Sequence, residues 1–344
     1  MAVNPYTRMF GKEPKQMVPR NLETSEIIDN FSDDEYNEQL FFITGLRGSG
    51  KTVLMADVAN TLRKNSDWTV IELNSESNLL ESLASKLANE KRLIDIFKQA
   101  KINLSFFGIE LALGGSSPIT NVEVAITRML ETMKKHKKRL LVTIDEVVCN
   151  QSMKEFAGTY QIFIGKDLPI FLLMTGLFEN VSELQNQKNL TFLLRAPKIV
   201  LKPLNLTRIA DNYEKTLNTP RKDAEEMARL TKGYSYAFQI LGYYCWQNKT
   251  SYTNVISQVQ EYLEDTVYDK IWSELSNKDK EIVRAIAKSS TGKVSEIRDI
   301  LNITNDQFNP YKKRLEKKGL LIKEYGFANF SLPLFKEYVL AKID

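Results

Sequence analysis

The chain has 344 residues, too many for one ordinary core, so two or three domains are expected. Hydrophobic residues make up 43% and charged residues 26%, an ordinary globular balance, and the net charge of +4 excludes a general polycation, so any nucleic-acid footprint must be local. Two cysteines, Cys149 and Cys245, exclude a disulfide framework and a zinc finger and suit a reducing compartment, while the single histidine, His136, excludes His-rich metal sites.

Residues 40–44, LFFIT, read as a buried strand. After it, Gly45, Gly50, Lys51 and Thr52 fit the pattern G-x-x-x-x-G-K-[ST]. Residues 51–64 then place Val53, Leu54, Val58, Ala59 and Leu62 at helical spacing. Strand, glycine loop and helix form the arrangement that a nucleotide phosphate needs. Glycines let the backbone N–H groups of Gly45, Arg47, Gly48, Ser49, Gly50 and Val53 close around phosphate oxygens. The helix N-terminus adds the positive end of its dipole, Lys51 reaches the β/γ-phosphates, and the Thr52 hydroxyl ligates Mg²⁺. ATP and Mg²⁺ are therefore the expected cofactors. The bland alternative is a structural turn with a stray lysine.

DWTVIEL (67–73) reads as the second strand, and NLLESLASKLANEKRLIDIF as one amphipathic helix. Ile102, Leu104, Phe106, Ile109, Leu111 and Leu113 then alternate, which predicts a hairpin near 101–117. Such a hairpin could touch DNA or a protein, or simply cover the core. The basic run KKHKKR (134–139) suits a helix C-terminus and a solvated face.

A phosphate loop needs an acidic strand. LLVTIDEVV (140–148) is continuously apolar up to Asp145 and Glu146, as expected of a central parallel strand buried on both faces. Its end lies on the edge where the phosphate loop lies. Asp145 is then the expected second Mg²⁺ group and Glu146 the group that polarises the attacking water. PIFLLMTGLFENV (169–181) reads as a further strand, whose terminal Thr175 could contact the γ-phosphate or the water, or merely end a strand.

The succession GLRGSGKT, LLVTIDEV, LLMTG, LLRAPKIVLKPL and KGYSYAFQILGYY resembles the AAA+ ATPases, in the branch that includes origin-recognition-like proteins and the signal-transducing STAND and archaeal ATPases. The resemblance spans nearly the whole chain. It implies that Arg195 faces a neighbouring subunit's γ-phosphate, and so self-association. It also implies that the segment around Pro19 and Arg20 lies over the adenine. Relatives carry a sensing arginine at the start of the lid helix, whereas this chain reads KGYSYAF, with Lys232 the nearest cation. That departure favours a slow switch over vigorous hydrolysis.

Residues from about 205 to 275 have a helical pattern throughout, ending in the long helix YTNVISQVQEYLEDTVYDKIWSEL, and resemble the lid of these ATPases. Residues 276–344 read as three short helices and a two-stranded wing, with Thr304 as an N-cap, Gly319 as a helix stop, and Pro310 kinking the third helix or delaying its start. This stretch holds 14 Lys+Arg against 9 Asp+Glu, so it carries the chain's positive charge. Lys312, Lys313, Arg314, Lys317 and Lys318 crowd its third helix and are the candidate contacts to double-stranded DNA.

The expected fold is therefore α/β. A P-loop NTPase parallel sheet of AAA+ type occupies 1–204, a helical lid 205–275 and a winged helix-turn-helix 276–344. The function expected is a nucleotide-gated ATPase acting on DNA. The alternative is a signalling or assembly ATPase whose winged helix docks a protein partner. A small-molecule phosphotransferase is a third class, but no acceptor site is visible and the lid and winged helix would be surplus. No apolar stretch reaches the ~18 residues of a membrane span, and the first residues lack a signal peptide's apolar core, so a cytoplasmic protein is expected.

Overall fold

The computed structural model describes residues 3–9, 14–100, 102 and 121–343, so the hairpin expected near 101–117 lies outside the described residues. The chain divides into two compact units, one of Asn21–Thr44 and Lys51–Val200, the other of Met1–Arg20, Gly45–Gly50 and Leu201–Asp344.

The first unit begins with helix α1 (Asn21–Ser32), which leads into strand β1 (Leu40–Thr44) and helix α2 (Lys51–Arg63). Strand β2 (Trp68–Asn74) is followed by helices α3 (Leu79–Ala88), α4 (Ile94–Gln99) and α5 (Val122–Lys135). Strand β3 (Arg139–Asp145), helix α6 (Gln151–Gly165), strand β4 (Ile170–Gly176), helix α7 (Phe178–Gln185) and strand β5 (Lys198–Val200) complete it. The five strands form one parallel sheet in the order β2-β3-β4-β1-β5. Every residue of β1 and β4 is buried, which is why both read as unbroken apolar runs. The edge strand β5 buries only Ile199.

Asparagine starts four helices: Asn78, Asn121, Asn150 and Asn205 each accept from a backbone N–H one turn on, the last at the head of the second unit's first helix. The single helix expected over NLLESLASKLANEKRLIDIF is two. Asn89 caps α3, its side-chain amide donating to the Ser85 carbonyl at 2.9 Å, and the chain turns before Leu93 and Phe97 re-enter the core.

The second unit contains helices α8 (Leu206–Leu217), α9 (Arg221–Thr231), α10 (Ser235–Asn248), α11 (Ile256–Leu263) and α12 (Asp269–Ser273). The long helix expected from Tyr252 runs on from Ile256 to Ser273, widening to a π-turn over Glu264–Tyr268. Helices α13 (Asn277–Lys288), α14 (Val294–Leu301), α15 (Asn305–Lys317) and α16 (Phe335–Ala341) follow. Pro310 lies inside α15, which starts at Asn305 behind a capping box: the Thr304 N–H donates to Gln307 Oε1 at 3.0 Å. Gly319, at φ +83°, follows its end.

The wing is smaller than the sequence implies. Only single antiparallel bridges form, Leu321 with Phe330 and Lys293 with Phe327, so no regular strand exists there among the described residues. The final helix, α16, has no counterpart in the sequence reading. It buries Phe335, Tyr338 and Val339.

The N-terminal segment lies along α8 and α10. Tyr6 is buried against Tyr213 and Phe238, and its hydroxyl donates to Asn212 Oδ1 at 2.9 Å. The Thr7 N–H donates to Gln239 Oε1 at 3.1 Å, and the Arg8 guanidinium stacks 4.5 Å from the Tyr243 ring centre.

Between α13 and α14, the loop SSTG folds around one carboxylate. Glu296 accepts from the Ser289 hydroxyl at 2.7 Å, the Ser290 N–H at 2.7 Å, the Thr291 N–H at 3.0 Å and the Thr291 hydroxyl. These donors, the Thr291 hydroxyl first, hold its pKa well below the usual carboxylate range. A lowered folded-state pKa contributes stability above the unfolded value of about 4.3, and that stability is lost as pH falls through the folded value. Glu296→Gln is therefore expected to lower Tm by a few degrees near neutral pH, with the gap to wild type closing in acid. Thermal melts of both proteins across pH check this.

Candidate functional site

The sheet register brings three strand ends to one edge. Asp145 closes β3 opposite Asn74, Thr175 lies in β4 opposite Ile43, and Thr44 ends β1 opposite Gly176. From Thr44 the chain enters the glycine loop, and α2 starts at Lys51.

On the core side, Asp145 is the hub. Its Oδ2 accepts from the Thr52 hydroxyl at 2.7 Å. Its Oδ1 accepts from the Thr175 hydroxyl and from the Glu146 N–H, the latter at 3.1 Å. The Glu146 N–H also reaches the Thr175 hydroxyl oxygen at 3.1 Å. Thr175 is fully buried and bonded to Asp145, so it orients that carboxylate. Glu146 has a left-handed backbone, φ +51°, and its side chain is exposed. Such a conformation costs a β-carbon residue energy and persists where surrounding bonds fix it, as the paired acceptors on the Glu146 N–H do here.

Lys51 is only 8% exposed, an uncommon burial for a lysine. Among the described residues no cluster of three or more His, Cys, Asp or Glu could cage a metal. Mg²⁺ does not need one, since it is commonly held by one carboxylate, substrate phosphates and water. Thr52 and Asp145, with their oxygens 2.7 Å apart, fit that role.

On the loop side, Gly48 and Gly50 adopt φ +74° and +96°, which only glycine takes without strain. A β-carbon at Gly48 would also lie 2.3 Å from the Tyr234 hydroxyl oxygen. Three successive loop carbonyls receive donors from three successive residues at the start of α10. The Tyr234 hydroxyl donates to the Arg47 carbonyl at 2.6 Å, the Tyr236 N–H to Gly48 at 3.1 Å, and the Ser235 hydroxyl to Ser49 at 2.9 Å. Arg20 donates to the Lys202 carbonyl at 2.8 Å and to Ser49 at 3.4 Å. The Ser49 hydroxyl is buried and has no hydrogen-bond partner among the described residues, an orphan that a phosphate oxygen would satisfy.

Other expected residues stand apart. Arg195 ends a short turn, Thr191–Arg195, and is exposed. The Pro19 carbonyl accepts from Arg208 at 3.3 Å. Lys232 donates to the Phe330 carbonyl at 3.1 Å, and burial lowers its pKa, so the nearest cation in KGYSYAF serves the C-terminal region. The residues that reach the loop are Tyr234, Ser235 and Tyr236, which the sequence reading passed over. Their signal was a run of hydroxyl side chains directly after a glycine turn.

The five basic residues of α15 and its cap divide sharply. Lys312 is largely buried, pairs with Glu316 at 3.2 Å and donates to the Glu324 carbonyl at 2.7 Å. Arg314 is bound through Nε, 3.1 Å, and its terminal nitrogen to Asp279, which is 2% exposed. Lys317 and Lys318 also have partners. Lys313 is exposed.

A parallel sheet with a glycine loop after β1, an acidic end to β3, a helical lid and a C-terminal region like a winged helix defines an AAA+ P-loop core. Residues 20–192 match the family model described as an ATPase domain predominantly from Archaea, and the chain belongs to that family. Residues 265–339 match a second model, described as a domain of unknown function. No curated protein matches. Among solved structures, the Walker-type ATPase of Pyrococcus abyssi is similar, with 17% identity, TM-score 0.66, and 94% of this chain and 96% of that chain covered. The ORC2 protein of Aeropyrum pernix, in ADPNP and ADP complexes, is similar at 14% identity and TM-score 0.59, with 97% of each chain covered. At these identities the likeness is one of fold.

Proposed function

We propose that the protein is an ATP-binding, Mg²⁺-dependent ATPase that works as a nucleotide-gated switch in the cytoplasm and acts on double-stranded DNA through its C-terminal winged helix. The observation that carries the nucleotide reading is the Thr52–Asp145 pair, 2.7 Å apart, at the sheet edge where the glycine loop begins. Membership of an archaeal ATPase family supports it.

In this reading the Gly45–Gly50 backbone and the Val53 N–H surround the phosphates, Lys51 neutralises them, and Thr52 and Asp145 hold Mg²⁺. The bound ion and triphosphate supply an activated phosphoanhydride. Glu146 orients the attacking water and draws off its proton, while Thr175 keeps Asp145 in register. The exposed Arg195 is available to a second copy of the chain, and Arg20 supports the loop at Ser49. The proposed domains are a core over 1–204, a lid over 205–275 and a winged helix over 276–344. Among the described residues no helix is long and apolar enough to cross a membrane.

The net charge of residues 276–344 supports DNA as the partner. A second reading, a winged helix that docks a protein, is favoured by the internal engagement of Lys312 and Arg314 and by the exposed Tyr325 and Ile322 on the wing. Anisotropy of labelled duplex DNA, with and without ATP–Mg²⁺ across a salt series, decides between them. DNA action predicts tighter binding with ATP and a log K against log salt slope of about −0.9 per phosphate contacted, with Lys313→Glu weakening it. Absence of binding at low salt in either nucleotide state would move the winged helix to a protein partner. Lys312 and Arg314 are poor test positions, since both are bonded within the fold.

A further inference from the structure

We infer that Tyr234, Ser235 and Tyr236 are positioning residues for the phosphate loop: they clamp its carbonyls and thereby aim its amides at the nucleotide phosphates. This rests on the nucleotide-binding reading above.

In a trans peptide the carbonyl of one residue and the N–H of the next point in opposite directions, and no cis bond occurs among the described residues. Donors at the start of α10 hold the Arg47, Gly48 and Ser49 carbonyls on the lid side, at 2.6, 3.1 and 2.9 Å. The N–H groups of Gly48, Ser49 and Gly50 are thereby turned away from the lid. The Ser49 N–H closes a turn onto the Leu46 carbonyl at 3.2 Å, which leaves the Gly48 and Gly50 N–H groups aimed outward for an anion. The orphaned Ser49 hydroxyl belongs to the same loop.

The clamp is closely fitted at Gly48, which has no room for a β-carbon beneath the Tyr234 hydroxyl. Tyr234 is itself buried, so its hydroxyl has little freedom to leave the Arg47 carbonyl. The KGYSYAF segment thus acts on the loop rather than on the γ-phosphate. Its only cation, Lys232, is spent on Phe330.

Calorimetric titration of ADP and of ATP, each with Mg²⁺, tests the clamp in the full chain. Tyr234→Phe and Ser235→Ala are each expected to weaken both nucleotides by about fivefold, the scale of one net hydrogen bond, and Ser235→Thr, which keeps the hydroxyl, to restore binding. A merely structural role would lower Tm without this hydroxyl-dependent rescue. Wild-type affinity in both Tyr234→Phe and Ser235→Ala, with Lys51→Ala not binding, would overturn the clamp and leave the nucleotide site standing. Equal titrations for wild type and Lys51→Ala would overturn the nucleotide reading and the clamp with it. If Tyr234→Phe does not fold, the Ser235→Ala and Ser235→Thr pair decides by the same criteria.

Discussion

Replacing Lys51 by alanine is expected to abolish nucleotide binding while leaving the fold intact. Lys51 opens α2, where the helix dipole favours an anion, and its ammonium is almost wholly removed from solvent. A buried lysine is costly unless its charge is used, and a polyphosphate is the strongest compensating charge that a glycine loop offers. Deleting the ammonium removes that charge from the phosphate site. The affinity for ATP or ADP should fall a hundredfold or more, on the order of 3 kcal/mol, while the chain still folds. Titration with a fluorescent nucleotide, beside a thermal melt, separates the two effects. Binding retained at wild-type strength would mean that the loop does not hold phosphate.

Glu146→Gln is expected to bind ATP normally and to stop turning it over. The substitution is isosteric and leaves the backbone of residue 146, with its N–H on Asp145 and Thr175, undisturbed. What is lost is a carboxylate on an exposed side chain beside the Asp145 hub. Loss of a general base of this kind costs roughly 100- to 10,000-fold in rate. Phosphate release under single-turnover conditions, with binding measured in parallel, checks the separation. Normal turnover would sink the assignment of Glu146. Asp145→Asn makes a useful contrast, because it disturbs Thr52 and Thr175 together and should reduce binding as well as rate.

The parts legible in the sequence were those fixed by local chemistry or by burial on both faces. β1, β3 and β4 could be read because a central parallel strand has no polar side to show. The glycine loop was legible because its backbone angles admit little else. The N-cap of α15 was read from Thr304 alone. What escaped depended on partners distant in the chain. Nothing near Arg314 announces Asp279, and nothing near Lys312 announces the Glu324 carbonyl. A count of lysines and arginines therefore does not say which of them are engaged within the fold. The split between α3 and α4 was hidden because ANEKR interrupts a helical pattern without a glycine or proline. The wing was overdrawn because alternation in LLIKEY signals extended chain, and only pairing makes a strand. Tyr234 escaped because the cation was sought at Lys232, two residues earlier.

The strand order has a consequence for how the protein is made. Of the five strands β1 is made first, yet its neighbours in the sheet are β4 and β5, the last two. Until Ile170–Gly176 and Lys198–Val200 have been synthesised, β1 has no native partner on either side, and the glycine loop hangs from an unpaired, wholly apolar strand. The N-terminal segment waits longer still, since Tyr6 needs Tyr213 and Phe238. Nucleotide therefore cannot template the early chain. β1 finds both its sheet neighbours only after β4 and β5 have been made, and an apolar run such as LFFIT is open to pairing elsewhere until then.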